Sequence, residues 1–248
     1  MRIGIVIPVY NEEPTLAEMF RRLEDAGDPR VPTGGYAERF FVLVDDGSTD
    51  TSKEIIRTLA TNERVAAVYH KHNMGKGAAV ASGFRTALQH GADAVLIHDA
   101  DLEYDPCDHA DVLAPILDGR ADAVIGSRFI GRTHRVLYFW HYAANRLLTL
   151  ISNVLTNLNL SDIECCSKAF TREVAQRLDI KERAFGVEPE LVARCARMKI
   201  PDGDAQRPLR IFEVAVSYSG RTYAEGKKIT WRDGLSAIRC ILTYSLFR

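Results

Sequence analysis

An α/β fold is what the sequence predicts: a mostly parallel central sheet flanked by helices on both faces. Three observations carry this reading. Up to about residue 130, short β-branched runs alternate with stretches whose apolar residues recur at helical spacing. That order builds parallel sheets from βαβ units. The strand-like runs are apolar throughout rather than alternating, as strands covered on both faces are. Polar clusters follow the first, second and fourth of them, at the carboxyl ends where open α/β sheets bind ligands.

The first strand is Ile3–Val9. Asn11 is placed to cap the following helix, with Pro14 in its first turn and Leu16, Met19, Phe20 and Leu23 on one face. Phe40–Val44 is the second strand and ends at Asp45, Asp46 and Gly47. Thr51 and Glu54 have the spacing of a capping box and open a helix through Leu59. Val65–Tyr69 is a third strand, and Gly75–Gly77 turns into a helix carrying Val80, Phe84 and Leu88. Ala94–Ile97 and Ala123–Ile125 are the fourth and fifth strands. Beyond them the pattern changes. Leu137, Trp140, Leu147, Leu148, Val154 and Leu158 mark one long helical face, from about Arg135 to Leu158. Leu235, Ile238, Leu242 and Leu246 line one side of a last helix, Trp231–Leu246. The expected organisation is one domain over residues 1–230, then an amphipathic C-terminal helix over 231–248 and no transmembrane segment.

Of the 248 residues, 46% are hydrophobic and 26% are charged, and the net charge is −1. That composition suits one sizeable core and argues against a chain built to bind nucleic acid. No apolar run reaches the roughly 18 residues of a membrane span. The N-terminal apolar run is too short for a signal peptide and lacks a small-residue cleavage site. The five cysteines include no C-x-x-C pair. This argues against a zinc site or a disulfide framework and for a reducing, cytosolic location.

The stretch LIHDADLEYDP drives an apolar strand into Asp99, Asp101, Glu103 and Asp105. Carboxylates this close repel one another unless a cation lies between them. Mg²⁺ and Mn²⁺ favour hard oxygen ligands, commonly one or two carboxylates together with substrate phosphates. A D-x-D pair at a strand end is therefore a candidate metal site facing a diphosphate. Taken alone, it is equally a solvated acidic loop.

In order and spacing, IPVYNEEPTL, VDDGSTD, NMGKGAA, DADLEYDP and GSRF resemble the motifs of family 2 glycosyltransferases with the GT-A fold. Downstream, DIECCSKAF, FGVEPEL and YSGRTYAEGKKITWRDG look like the subgroup that makes polyprenyl- or dolichyl-phosphate sugars. The resemblance covers nearly the whole chain. It implies a Rossmann-like nucleotide-diphospho-sugar transferase, a family that often adds C-terminal transmembrane helices; here the helices from about Arg135 to Leu158 and from Trp231 to Phe247 are read as interface-type helices, apolar face down, or else as core or oligomer helices. It implies that Pro8, Tyr10, Asn11, Glu12, Asp45 and Asp46 line the nucleotide pocket. Gly47 and Ser48 would shape its turn, with Lys76 and Ala100 beside the nucleotide. Asp99 and Asp101 would hold Mg²⁺ or Mn²⁺, with Glu103 a third or water-mediated ligand. Near ECCSKAF, where related sequences tend to carry Thr and Tyr, this one has Cys166 and Ser167.

The acceptor decides whether a base is required. A hydroxyl must lose a proton to a positioned carboxylate, whereas a phosphate monoester, with its second pKa near about 6, is already nucleophilic at neutral pH. A lipid-phosphate acceptor therefore calls for cations. The candidates are Arg128, Arg146, Arg221, Lys227 and Lys228, with Arg128 and Arg221 joining Asp99 and Asp101 as catalytic residues. Glu188 and Glu190 are expected at a helix start or on the sugar. The expected reaction is metal-dependent, inverting transfer of a hexose from GDP-mannose or a UDP-sugar to polyprenyl or dolichyl phosphate. It would take place at the cytosolic membrane face, by a peripheral enzyme with an oligomer or membrane-protein partner left open and no nucleic acid. The alternative is the same fold acting on a glycan or other soluble hydroxyl. The first strand-to-helix turn, PVYNEEP, lacks G-x-G-x-x-G, which argues against a nucleotide-dependent oxidoreductase.

Overall fold

The computed structural model of the chain describes residues 1–31, 34–136, 138–222, 225 and 231–247, with backbone alone at 231–233 and 247. Strand β1 (Arg2–Val9) leads to α1 (Leu16–Asp25), β2 (Glu38–Asp45) to α2 (Ser52–Leu59), and β3 (Val65–Tyr69) to α3 (Lys76–Gln89). Then come β4 (Ala94–Ile97), α4 (His109–Leu117), β5 (Ala123–Ser127), the long α5 (Phe139–Thr156), β6 (Lys168–Thr171), α6 (Arg172–Arg177) and α7 (Val187–Arg197). The hairpin of β7 (Lys199–Asp202) and β8 (Ala205–Pro208) precedes β9 (Ile211–Ala215), and α8 (Trp231–Leu242) runs into a π-helical turn, Thr243–Phe247.

Seven strands form one sheet in the order β3-β2-β1-β4-β6-β5-β9. The pairs of β1 with β2, β1 with β4, β2 with β3 and β5 with β9 are parallel. Only β6 runs against its neighbours. Ile5, Val6, Val42, Val44, Leu96 and Val124 are fully buried, as strands covered on both faces require. Helix α3 lies close on β1: a Cβ at Gly83 would stand 2.2 Å from Val6 Cγ1, so only glycine allows this approach. Because the parallel strands share a direction, the C-terminal ends of β1, β2 and β4 open on one edge of the sheet.

Two local caps differ from expectation, and two helical faces divide into buried and exposed parts. Asn11 does not cap α1; it takes a left-handed φ of 51° and its Oδ1 accepts from Thr49 N at 2.8 Å, tying the β1 tip to the β2 tip. Thr51 makes no side-chain cap; Asp50 Oδ1 instead accepts from Ser52 N at 3.0 Å. The long helical face splits: Leu148 is buried, whereas Phe139, Trp140 and Val154 are 66%, 78% and 73% exposed. In α8 and the turn after it, Leu235, Leu242 and Leu246 point outward, and Ala237, Cys240, Ile241 and Tyr244 form the buried side. Among the described residues, no helix is long and apolar enough to cross a membrane.

Candidate active site

A cavity of about 1040 Å³ opens beyond the β1, β2 and β4 tips. Backbone donors fix its first wall. Asn11 N donates to Ser48 Oγ at 3.1 Å, and Glu12 N to Ser52 Oγ at 2.9 Å. Asp46 accepts from Met74 N at 2.9 Å and Gly75 N at 2.7 Å, and His70 Nδ1 lies 2.7 Å from its Oδ1. Asp46 thus holds the turn that launches α3. Gly75 completes this turn with φ 94°, where a Cβ would meet Arg183 O at 2.3 Å. Lys76, the first residue of α3, is aimed into the cavity.

The acidic stretch after β4 meets that lysine. Lys76 Nζ lies 2.9 Å from Asp99 Oδ1 and 3.1 Å from Glu188 Oε1. Burial disfavours the Asp99 carboxylate, but the Lys76 ammonium and a hydrogen bond from the Cys166 thiol outweigh it and hold its pKa below the usual range. Asp101 goes the other way. Burial, then the charges of Asp99 and Glu103, push its pKa up to about 7, although Arg221 Nη2 donates to its Oδ2 at 2.9 Å. Arg221 also donates from its backbone N to Glu103 Oε1 at 2.9 Å, and its Nη1 stands 3.4 Å from Glu12 Oε2. Tyr218 OH donates to Glu103 Oε2 at 2.8 Å.

Glu103, read from sequence as a third or water-mediated ligand, has other partners in this geometry. Both Glu103 oxygens are taken by Tyr218 and Arg221, and among the described residues no group of three His, Cys, Asp or Glu side chains is placed to hold an ion. Asp99 and Asp101 remain as two hard carboxylates at the cavity mouth, with 18% and 15% side-chain exposure. That matches a dication that draws its other ligands from phosphate and water. Carboxylates lining the cavity outnumber lysines and arginines seven to three. The added charge of a diphosphate would therefore enter this space together with a cation.

The far wall comes from α5, the turn before β6, α7 and the Arg221 segment. Arg128, just after β5, chelates Asp162 through Nε at 2.6 Å and Nη2 at 2.8 Å, and its guanidinium lies 5.0 Å from the Tyr218 ring centroid. Its charge is thus balanced inside the fold. Its Nε, Nη2 and backbone N all serve Asp162, which leaves Nη1 without a hydrogen bond to a described residue. Lys168, fully buried, pairs with Glu188 Oε2 at 2.8 Å and donates to Ile163 O at 3.1 Å. Glu190 accepts from Lys181 N at 2.9 Å, Glu182 N at 2.7 Å and Arg194 Nε at 2.7 Å, so it is a structural acid at a helix start. Glu188 faces the cavity.

Of the residues singled out from sequence, the cavity gathers Pro8, Tyr10, Glu12 and Asp46 on one side and Asp99, Ala100, Asp101 and Glu103 at its mouth, with Lys76, Arg128 and Arg221 between. Asn11, Gly47 and Ser48 shape the wall from behind. Asp45 is fully buried, with one oxygen on Ser48 N at 3.0 Å and the other unpaired. Arg146 is exposed on α5, donates to Ser161 O and does not line the cavity. Lys227 and Lys228 lie outside the described residues. Sequence reasoning assigned no role to Glu164, Asp162, Asn145, Phe185 or Tyr218. Glu164 and Asp162 do fall within the quoted DIECCSKAF stretch, where two acids beside a buried-looking run were the available signal.

A family model described as glycosyl transferase family 2 matches residues 4–179. An undecaprenyl-phosphate 4-deoxy-4-formamido-L-arabinose transferase of Pseudomonas aeruginosa is 31% identical over 228 residues, covering 91% of this chain and 60% of the relative. This chain thus spans less than two thirds of that protein. An undecaprenyl-phosphate mannosyltransferase of Micrococcus luteus is 29% identical over 240 residues, 92% of this chain and 87% of that protein. A glucosyl-3-phosphoglycerate synthase of Mycobacterium tuberculosis, solved with Mn²⁺, UDP and phosphoglyceric acid, aligns over 100% of this chain and 79% of its own at a TM-score of 0.69 and 19% identity. At that identity the likeness is one of fold, and the fold is GT-A.

Proposed function

The chain belongs to glycosyl transferase family 2, and from that premise we propose that it transfers a hexose, with inversion, from a nucleotide diphosphate sugar to a polyprenyl phosphate. The observation that carries this reading is the pairing of two exchangeable cations with the D-x-D carboxylates: Lys76 on Asp99 and Arg221 on Asp101. Both pairs sit at the partly exposed mouth, where incoming phosphates can take over either partner. Arg221 is already desolvated beside three acids, and a phosphate presents the geometry its fork prefers. A divalent cation held by Asp99 and Asp101 would supply Lewis-acid stabilisation of the departing nucleotide diphosphate.

The acceptor reading draws on a second feature. A side groove of about 310 Å³ adjoins the cavity and shares Arg128, His141, Asn145 and Tyr218 with it. Phe129, Val136, Tyr138, Phe139 and Tyr142 line the rest, together with His134 and Arg135. It leads to the exposed aromatic end of α5. An isoprenoid chain suits such a groove, and aromatic and aliphatic side chains there suit a membrane interface. The enzyme would then act as a peripheral protein. The acceptor phosphate would meet Arg221 and the free Nη1 of Arg128, and being ionised it would need no base. Lys227 and Lys228 are proposed to add positive charge for the acceptor phosphate. The names of the two undecaprenyl-phosphate relatives support this acceptor class.

Glu164 favours a second reading, transfer to a hydroxyl, because its unpaired carboxyl lies in the cavity and could serve as a base. A donor panel of GDP-mannose, UDP-glucose and UDP-galactose with Mn²⁺ separates the two. Undecaprenyl phosphate should yield a lipid-linked sugar, and dodecyl maltoside or another soluble glycan should not. Turnover with the glycan alone would replace the acceptor assignment.

A further inference from the structure

The carboxylates of the cavity differ in their partners. Asp99 takes Lys76, Asp101 takes Arg221, and Glu103 takes Tyr218 and Arg221. Glu188 divides its oxygens between Lys76 and Lys168. Glu164 is different. It lines the cavity, its Oε1 is wholly buried, and no described donor reaches that atom.

The backbone gives Glu164 little freedom to turn away. Two residues before it, Asp162 is clamped to Arg128, and two residues after it, Cys166 N donates to Tyr104 OH at 3.2 Å. Ala144 and Leu148 of α5 and Ala237 of α8 line the same cavity and offer no side-chain donor. A buried acceptor without a donor destabilises the fold. Such a group fits a site whose donor arrives with the ligand.

The ligand's polarity follows from charge. On the proposed function the diphosphate finds compensating charge in a cation at Asp99 and Asp101 together with Lys76 and Arg221, whereas the Glu164 carboxyl offers it no partner. What remains for Glu164 is the part of the donor that carries hydrogen-bond donors and no negative charge. We infer that Glu164 selects the transferred sugar, its carboxylate accepting a hydrogen bond from a hydroxyl or amino substituent on the ring. The inference rests on reading the cavity as a nucleotide-sugar site. The charged groups facing Glu164 are Glu188 on α7, Lys168 on β6, Arg128 after β5 and Asp162 on its own turn. Burial first, and the Glu188 charge next, outweigh the two cations and push its pKa up to about 7.

The test compares wild type with Glu164→Leu, which removes the acceptor, and Glu164→Gln, which keeps a carbonyl oxygen in place. The donors are GDP-mannose, UDP-glucose, UDP-galactose and UDP-glucosamine, with undecaprenyl phosphate and Mn²⁺. The free nucleotides are measured as competitive inhibitors. In Glu164→Leu, kcat/KM for the preferred donor should fall by about tenfold or more, mostly in KM. Preference over the next-best sugar should shrink by a similar factor. Glu164→Gln should recover part of both, and inhibition by the free nucleotide should stay within about twofold. UDP-glucosamine as the preferred wild-type donor would identify the ring donor as an amine, and a neutral hexose would identify a hydroxyl. Unchanged sugar preference in both variants, with nucleotide inhibition and turnover intact, would overturn the inference alone. A collapse of kcat at constant KM in Glu164→Gln would also overturn it, in favour of a base. Wild type that neither turns over any of these donors nor binds UDP or GDP would overturn the donor-site reading beneath it.

Discussion

The two walls of the cavity neutralise their acids by different means. On the β1–β2 side, Asp46 is satisfied by the amides of Met74 and Gly75 and a ring nitrogen of His70, while Asp45 has one oxygen on the amide of Ser48 and the other unpaired. On the α5–α7 side, Asp162 and Glu188 are satisfied by Arg128 and Lys168, whole cations with little or no exposure. Between the walls lie the pairs of Asp99 with Lys76 and Asp101 with Arg221, ionic like the second wall but open to the cavity. Amide-held acids are set by the chain path and keep their place whatever binds. Buried ion pairs hold distant segments together and are costly to break. Both partners of the two pairs between the walls are partly accessible from the cavity, so on the proposed function they are the ones that trade partners with a charged ligand.

Breaking the exposed pairs should have the largest effect on activity and a small one on folding. Asp101→Asn keeps the shape but removes a charge that faces Arg221 and any bound cation. Its kcat should drop by about 10²–10³, the scale of losing one preorganised electrostatic contact. Its Tm should stay close to wild type, because the variant sheds a carboxylate whose ionisation burial and Asp99 already oppose. A variant that retains more than a tenth of wild-type turnover would move the working pair elsewhere.

Breaking a buried pair should reverse that balance. Asp162→Ala leaves the Arg128 guanidinium without its bidentate partner and removes acceptors from Asn145 Nδ2, at 3.2 Å, as well. Stability should fall by about 3–5 kcal/mol, or roughly 2–4 °C in Tm for each of those. Asp46→Asn loses only part of an amide cradle and should cost about 1–2 kcal/mol. Denaturant titration of the three proteins checks the order. An Asp46 variant less stable than the Asp162 variant would overturn the distinction between the walls.

Much of the first wall was legible in sequence, because βαβ order sends successive strand ends to one edge and the acids stand directly after them. The D-x-D cluster followed from the same logic. The second wall was harder to read. Strand β6 carries Lys168 inward and enters antiparallel between β4 and β5, so no run of parallel-type strands announces it. Arg128 looked like a free cation, because its partner Asp162 lies 34 positions away across a long helix. The partners of Glu103 were not legible either, because Tyr218 and Arg221 reach it only after the chain has closed the sheet with β9. Helical periodicity marked α5 as apolar but not which half faces out; its exposed aromatic end shows only in three dimensions.

The smallest predicted effect separates Glu164 from the paired acids by stability alone. Its folded-state pKa stands above the ordinary value of 4.5, so the folded protein holds that proton more tightly than the unfolded chain. Its ionisation therefore costs nothing below about pH 4.5, costs progressively more as pH rises toward about 7, and exacts its full penalty above that. Glu164→Gln should accordingly raise Tm at pH 8 by a few degrees, for a gain on the order of 1 kcal/mol, and leave it unchanged near pH 4.5. The paired acids predict the opposite sign: Asp162→Asn should lower Tm at pH 8, because that carboxylate is held below its usual pKa by Arg128 despite burial. Equal Tm shifts for Glu164→Gln at the two pH values would mean that its carboxyl finds a donor in solution, and it would then join the satisfied acids of the far wall.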